Sequence, residues 1–269
     1  MSTTPSIGLI AGSGALPLYF VQQAKNKNIK IKTVAIRGEA SPRLNLLSDA
    51  ITWISIGQVG SLMAFFKKNG VHRAVMHGKI QHAHYFKNVR LDWKALALWA
   101  RLKDRSGESL LKGLATDLSK NGTRIMDCRF LMEGLLARKG WVTKSKFDLK
   151  DVSSLKYGLV RARALAGHGV GQSLIVKKNA VVAVEAMEGT DEVIQRAGKK
   201  AGPGTILFKV SSPRQDWRFD VPTVGLRTIQ GLARVKAKGL VLEARKVFIL
   251  ERDKTVRAAE KSGIFILAV

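Results

Sequence analysis

From Ile7 onward the chain alternates short apolar runs with amphipathic stretches. Residues 7–11, 32–36, 50–56 and 73–77 read as strands, and residues 16–27 and 59–69 read as helices. Parallel neighbours need a crossover connection, usually a helix, so this alternation predicts a parallel sheet. Residues 92–139 read as mostly helical. Trp93, Leu96, Leu98 and Leu102 form an irregular apolar stripe, and Leu110, Leu111, Leu114 and Leu118 a cleaner one. Residues 123–126 predict one more edge strand.

A polar stretch rich in lysine and aspartate, residues 140–152, predicts the division into domains 1–140 and 141–269. Beyond it, helices are predicted at 153–166, 190–198, 228–237 and 254–262. Strands are predicted at 173–176 and 180–185, paired as a hairpin, at 205–210, at 240–244 and 247–250 as a second hairpin, and at 264–269. The fold class is α/β: an N-terminal Rossmann-like parallel-sheet domain, then a C-terminal mixed α/β domain.

Charge changes the picture of what the surface meets. There are 46 Lys and Arg against 20 Asp and Glu, a net +26 spread along the chain. Such a field attracts polyanions, whether nucleic acid or an anionic leaflet. No helix-turn-helix, aromatic platform or zinc finger accompanies it, so a basic nucleic-acid-binding protein is an alternative that rests on charge alone, and no specific nucleic acid is expected. The single cysteine, Cys128, excludes an intrachain disulfide framework and reads as a buried structural thiol. The start of the chain lacks the features of a signal peptide, and no apolar stretch is long enough to span a bilayer. A cytoplasmic protein is expected.

Residues 7–17 read strand, glycine turn, helix. Gly12 and Gly14 allow close backbone approach, and the amides of the following helix favour phosphate. Pro17 stands where a dinucleotide fingerprint has its third glycine, and Arg37, not an acidic residue, follows the second strand. An NADP-dependent oxidoreductase remains an alternative, as does a ligand-free turn, but nucleotide or phosphate binding is preferred.

Three polar segments mark the second half: residues 169–172, 185–191 and 209–225. Taken singly, Thr190 or Asp191 could cap a helix and Asp220 could be a turn residue. Together, Glu188, Asp191, Asp216 and Asp220 suggest a magnesium site, and Lys209, Arg214 and Arg218 could neutralise a diphosphate. That mixture suits phosphoryl transfer to water. His77, His82 and His84 lie close in sequence without an accompanying carboxylate, so a histidine metal site is not expected.

At these motifs the sequence resembles the LpxI family of UDP-2,3-diacylglucosamine diphosphatases over essentially its whole length. The resemblance rests on residues 8–17, Gly171–Gln172, residues 183–191 and residues 215–225. It implies magnesium-dependent hydrolysis of UDP-2,3-diacylglucosamine to UMP and 2,3-diacylglucosamine 1-phosphate, in lipid A synthesis. Two α/β domains holding the lipid substrate between them are implied, with Asp220 as the essential aspartate. Gly12, Ser13, Gly14, Gly78, Lys79 and Asp104 are then substrate contacts from the first half. Gln172, Glu188, Gly189, Thr190, Lys209, Gln215, Arg218 and Thr223 are those from the second, and Asp191, Asp216 and Asp220 are the magnesium ligands. Where many relatives carry Gly-Asn, this chain has Gly78-Lys79, and Gly107-Glu108 stands where an Asp-Asp pair is common. The expected protein attaches peripherally to the anionic inner-membrane surface, with a homodimer left open.

Overall fold

Four apolar strands, β1 (Ser6–Ala11), β2 (Lys30–Ile36), β3 (Ala50–Ile54) and β4 (Arg73–His77), and the short β5 (Arg124–Ile125) form a parallel sheet in the order β3-β2-β1-β4-β5. They belong to a computed structural model that describes residues 6–80, 91–104, 106–144 and 152–269. Helices α1 (Leu16–Asn26), α2 (Leu44–Leu47), α3 (Val59–Lys68), α4 (Trp93–Arg101) and α5 (Gly107–Lys120) accompany the sheet. On one face, Leu62, Met63 and Phe66 of α3 and Ala115 and Leu118 of α5 pack against Val34, Ile54, Ala74 and Met76. α1 buries Phe20, Val21 and Ala24. The side chain of Asp92 starts α4 by accepting from the Ala95 amide at 2.9 Å, and it also takes the Gly60 amide of α3 at 2.6 Å. One aspartate thus caps one helix and ties it to another.

The chain divides into two compact units. The first is Met1–Met132 together with Asp216–Asp220; the second is Glu133–Gln215 with Val221–Val269. The division falls ahead of the polar stretch from Gly140 that predicts it. β6 (Gly140–Trp141) pairs antiparallel with β13 (Phe265–Ala268), so this stretch already belongs to the second sheet.

That sheet has six strands in the order β6-β13-β11-β9-β7-β8. β9 (Ile206–Lys209), β11 (Gly239–Leu242) and β13 run parallel, while β7 (Ser173–Lys177) and β8 (Ala180–Val184) form the predicted antiparallel hairpin. α6 (Val152–Gly167) covers one face through Ala162 and Ala166 against Leu174, Phe208 and Val241. α7 (Thr190–Ala201), α8 (Leu226–Arg234) and α9 (Arg252–Lys261) cover the other, burying Val193, Ile194, Leu232 and Ala259 against Ile175, Leu207, Leu240 and Ile266.

The second predicted hairpin, 240–244 with 247–250, does not form. β11 lies between β9 and β13 and is buried along its whole length, so it has no free edge for a hairpin partner. The chain instead turns away at Arg245 (φ 61°), and β12 (Phe248–Ile249) pairs with β10 (Thr223–Val224) in a separate two-stranded parallel sheet. The helical reading of residues 92–139 also ends early. After α5 come β5 and a single 3-10 turn at Glu133–Leu135.

Candidate active site

In the first unit the strand order reverses between β1 and β4, the point where open α/β sheets present ligand crevices at their carboxyl ends. The loops leaving those two strands are bonded to each other. Gly12 N–H donates to the His77 carbonyl at 2.8 Å and Ser13 N–H to the Lys79 carbonyl at 2.8 Å, while Lys79 N–H returns to the Ser13 carbonyl at 3.1 Å. The Ser13 hydroxyl adds a bond to the Lys79 carbonyl at 2.7 Å. Glycine is required for this approach. A Cβ on Gly12 would lie 2.6 Å from the Lys79 oxygen, and one on Gly78 (φ +94°) would lie 2.6 Å from the Gly12 carbonyl carbon. The space left by Gly12 is therefore taken by the neighbouring loop. Gly14 (φ +97°) has nothing within 4 Å of a built Cβ and opens directly onto α1.

His77, which ends β4, is 4% exposed, and its Nε2 has no hydrogen-bond partner among the described residues. Its ring lies 5.1 Å from that of Phe20. Burial pulls its pKa down to about 3, so the imidazole is neutral.

Asp220 lies in the second half of the sequence but in the first unit. Its segment is fastened there twice: Phe219 packs against the α3 and α5 core, and the Trp217 carbonyl accepts from Cys128 N–H at 2.7 Å. Each residue of this bond sits at the centre of an Asp-x-Arg clasp. Arg218 grips Asp216 through Nε (2.9 Å) and a terminal nitrogen (2.7 Å), and Arg129 grips Asp127 likewise, at 3.0 and 2.6 Å. The Arg129 guanidinium also lies 4.0 Å from the Trp217 ring centroid. The Arg218 side chain holds the Asp216 carboxyl below its ordinary range. Burial, then the charges of Asp127 and Asp220, push the Cys128 thiol up to about 12. The Asp220 side chain itself is exposed.

The second unit has its own polar centre, where β8 and β9 end and β7 begins. Lys209 is 6% exposed, and its Nζ donates to Ser173 Oγ at 2.9 Å, Thr190 Oγ1 at 2.8 Å and Glu185 Oε2 at 3.4 Å. Thr190 in turn donates to Glu185 Oε1 at 2.8 Å. Nearby, Gln172 Nε2 donates to Gln215 Oε1 at 2.7 Å. Of the expected contacts, the structure thus joins Thr190 with Lys209 and Gln172 with Gln215. Gly189 (φ 84°) precedes the first turn of α7. Glu188 is paired with Arg196, Asp191 with Arg227 at 2.7 Å, and the Thr223 hydroxyl with the Val221 carbonyl at 2.8 Å.

Residues 6–135 match the family model of the LpxI N-terminal domain, and residues 138–267 match that of the LpxI C-terminal domain. The chain belongs to the LpxI family. It is 26% identical over 274 residues to the UDP-2,3-diacylglucosamine pyrophosphatase LpxI of Caulobacter vibrioides, covering 98% of this chain and 97% of that protein. Among solved structures it is similar to the biotin carboxylase domain of Hydrogenobacter thermophilus 2-oxoglutarate carboxylase (12% identity, TM-score 0.28) and covers 41% of it. Another is phosphoribosylglycinamide synthetase from Anaerococcus prevotii (12% identity, TM-score 0.27), of which it covers 42%. The alignments take in 72% and 71% of this chain.

Membership in the LpxI family leaves the oxidoreductase and nucleic-acid readings without support. Asp104 is taken up locally, accepting from the hydroxyls of Ser106 (2.6 Å) and Ser109 (2.7 Å) and from the Ser106 amide (2.9 Å) ahead of α5. Those bonds hold its carboxyl below its ordinary range. Among the described residues no three His, Cys, Asp or Glu side chains come together as a metal cage, and His82 and His84 lie outside those residues.

Sequence reasoning missed Ser173, Asp127 and Arg129. The adjacency of Ser173 to Gln172 and the repeat of Asp-x-Arg at 127–129 and 216–218 were the available signals. It also missed Glu243, a lone acid among the basic residues 234–245, which accepts from the Ser211 amide and hydroxyl at 3.0 Å each. Burial raises the Glu243 carboxyl, but the bonds from Ser211 and Lys246 outweigh it and the net shift is downward.

Proposed function

We propose that this chain hydrolyses UDP-2,3-diacylglucosamine to UMP and 2,3-diacylglucosamine 1-phosphate. The observation that carries the reading is the end-to-end alignment with a named UDP-2,3-diacylglucosamine pyrophosphatase, with both family domains in order. Incubation with that substrate and magnesium, following UMP by chromatography, tests it; no UMP above the enzyme-free control overturns it.

Water forms a bond to one phosphorus of the diphosphate. The bridging oxygen leaves with the other phosphate, carrying the bond's electron pair. Asp220 is the residue proposed to orient that water and accept its proton. The reading is supported by its exposed carboxylate on a backbone pinned at Trp217 and Phe219. Gly14 and the first-turn amides of α1, beside the joined 12–13 and 78–79 loops, are proposed to face a phosphate. Pro17 offers no amide there.

A magnesium ion would come in with the substrate's phosphates, and Asp216 and Asp191, each paired with an arginine, would have to give up those partners to hold it. Magnesium would supply charge neutralisation on the phosphate oxygens. The Lys209, Thr190 and Ser173 centre, buried and self-satisfied, is proposed to hold Gly189 and the start of α7 in place as a substrate-facing turn. The substrate carries two acyl chains, so the enzyme is proposed to work at an anionic membrane surface.

A further inference from the structure

Helix α4 is apolar on both sides. Its inner face, Ala95 and Leu98, is buried, and Leu98 packs so closely on α5 that a Cβ at Gly113 would lie 2.6 Å from it. A helix with one buried stripe normally carries polar residues opposite it. Here the opposite stripe, at helical spacing, is Trp93, Leu96, Ala97 and Ala100. Trp93 is 71% exposed and Leu96 53%, with Leu91 and Trp99 partly exposed beside them. Cations border the stripe: Lys94 lies 5.2 Å from the Trp93 ring centroid and 3.5 Å from Met63 Sδ, and Lys103 lies at the far end, where Arg101 is paired with Asp117 at 2.6 Å. The Asp92 cap, which also binds α3, fixes this helix in place.

We infer that the outer face of α4 is a surface by which the protein rests on a leaflet containing anionic phospholipid. The inference depends on the proposed lipid-linked substrate, which places the reaction at a membrane. Tryptophan favours the region between headgroups and acyl chains, and leucine adds apolar area below it. Lys94 and Lys103 then meet lipid phosphates, in keeping with the net +26. None of the described helices is long and apolar enough to cross a membrane, so the contact is one of resting on the leaflet.

Trp93→Ser/Leu96→Ser removes the stripe without touching the packed face. Vesicles of phosphatidylglycerol with phosphatidylcholine, and of phosphatidylcholine alone, serve as probes in sedimentation. Val160→Ser, an exposed apolar residue on α6, is the control. The unaltered chain should sediment with the anionic vesicles, the control should match it, and the double variant should bind roughly tenfold to a hundredfold more weakly. UMP release from substrate in detergent micelles should be unchanged by the double variant. Brominated phosphatidylglycerol should quench the chain's tryptophan fluorescence less after Trp93→Phe. Equal vesicle binding by double variant and unaltered chain overturns the placement on α4 while leaving the membrane reading intact. A chain that binds neither vesicle overturns the membrane reading itself. A loss of self-association in the double variant, with vesicle binding retained, assigns the stripe to a second copy of the chain instead.

Discussion

Cys128 N–H donates to the carbonyl of Trp217 at 2.7 Å, joining positions far apart in sequence within the first unit. This bond, with Phe219 in the α3 and α5 core, fixes the backbone that carries Asp220. Asp220→Asn keeps the shape and removes the charge. Turnover should fall by about 10²–10⁴-fold, the range for a lost general base, with circular dichroism and thermal midpoint unchanged. Near-normal turnover at saturating magnesium would clear Asp220 of the role.

Phe219→Ala should act differently. It leaves every charge in place but loosens the anchor of the segment, so turnover should fall together with stability, by about 3 kcal/mol or less for a partly buried ring. Denaturant titration beside UMP release separates this from the Asp220→Asn pattern.

The two glycines of the joined loops should be less tolerant than Gly14. Gly78→Ala forces a Cβ against the Gly12 backbone at a positive φ, whereas Gly14→Ala meets nothing and bears only the backbone strain, about 1–2 kcal/mol. Thermal midpoints should therefore rank Gly14→Ala above Gly78→Ala. A raised Michaelis constant in Gly14→Ala with its fold intact would tie that position to substrate. An unchanged constant would leave the turn purely structural.

Lys209 and Glu185 are both buried, and each is satisfied by the other and by hydroxyls. Lys209→Met leaves the Glu185 charge unpaired and should cost about 3–5 kcal/mol. Adding Glu185→Gln removes that charge and should restore part of the loss. Full additivity of the two losses in urea denaturation would mean the pair is not coupled.

His77 predicts an acid-side instability. With its folded pKa near 3 against 6.5 in the unfolded chain, only the unfolded state binds this proton between those values. Stability is complete above about pH 6.5 and declines as pH falls toward about 3, by up to ~1.4 kcal/mol per pH unit for this group. His77→Leu should flatten that part of the curve. Cys128, pushed up to about 12, should resist thiol reagents in the folded protein and react once it is unfolded.

The strand–helix alternation of the first half was legible because a parallel sheet buried on both faces writes near-continuous apolar strands, as at β1 and β2. The second hairpin was misread because two apolar runs separated by a short polar stretch look alike whether they pair with each other or with remote strands. Only the burial of β11 between β9 and β13 decides. The candidate residues were found by motif, but their partners were not. The Asp-x-Arg spacing hints that Asp216 pairs with Arg218, but nothing local tells that the Trp217 carbonyl meets Cys128 or that Phe219 enters the α3 and α5 core. Those pairings are set by how the chain returns to the first unit, which periodicity does not encode.

That return has a consequence for inheritance. The five residues Asp216–Asp220 are encoded inside the second half but housed by the first unit. A recombination joint between residues 135 and 138, where the two family domains meet, would give a first half from one ancestor and its Trp217 and Phe219 from another. The Phe219 ring would then have to fit a core, and the Trp217 ring an Arg129 guanidinium, that they had not been selected with. The halves of this protein are thus poor units of exchange, and chimaeras should work best when residues 216–220 travel with the N-terminal parent.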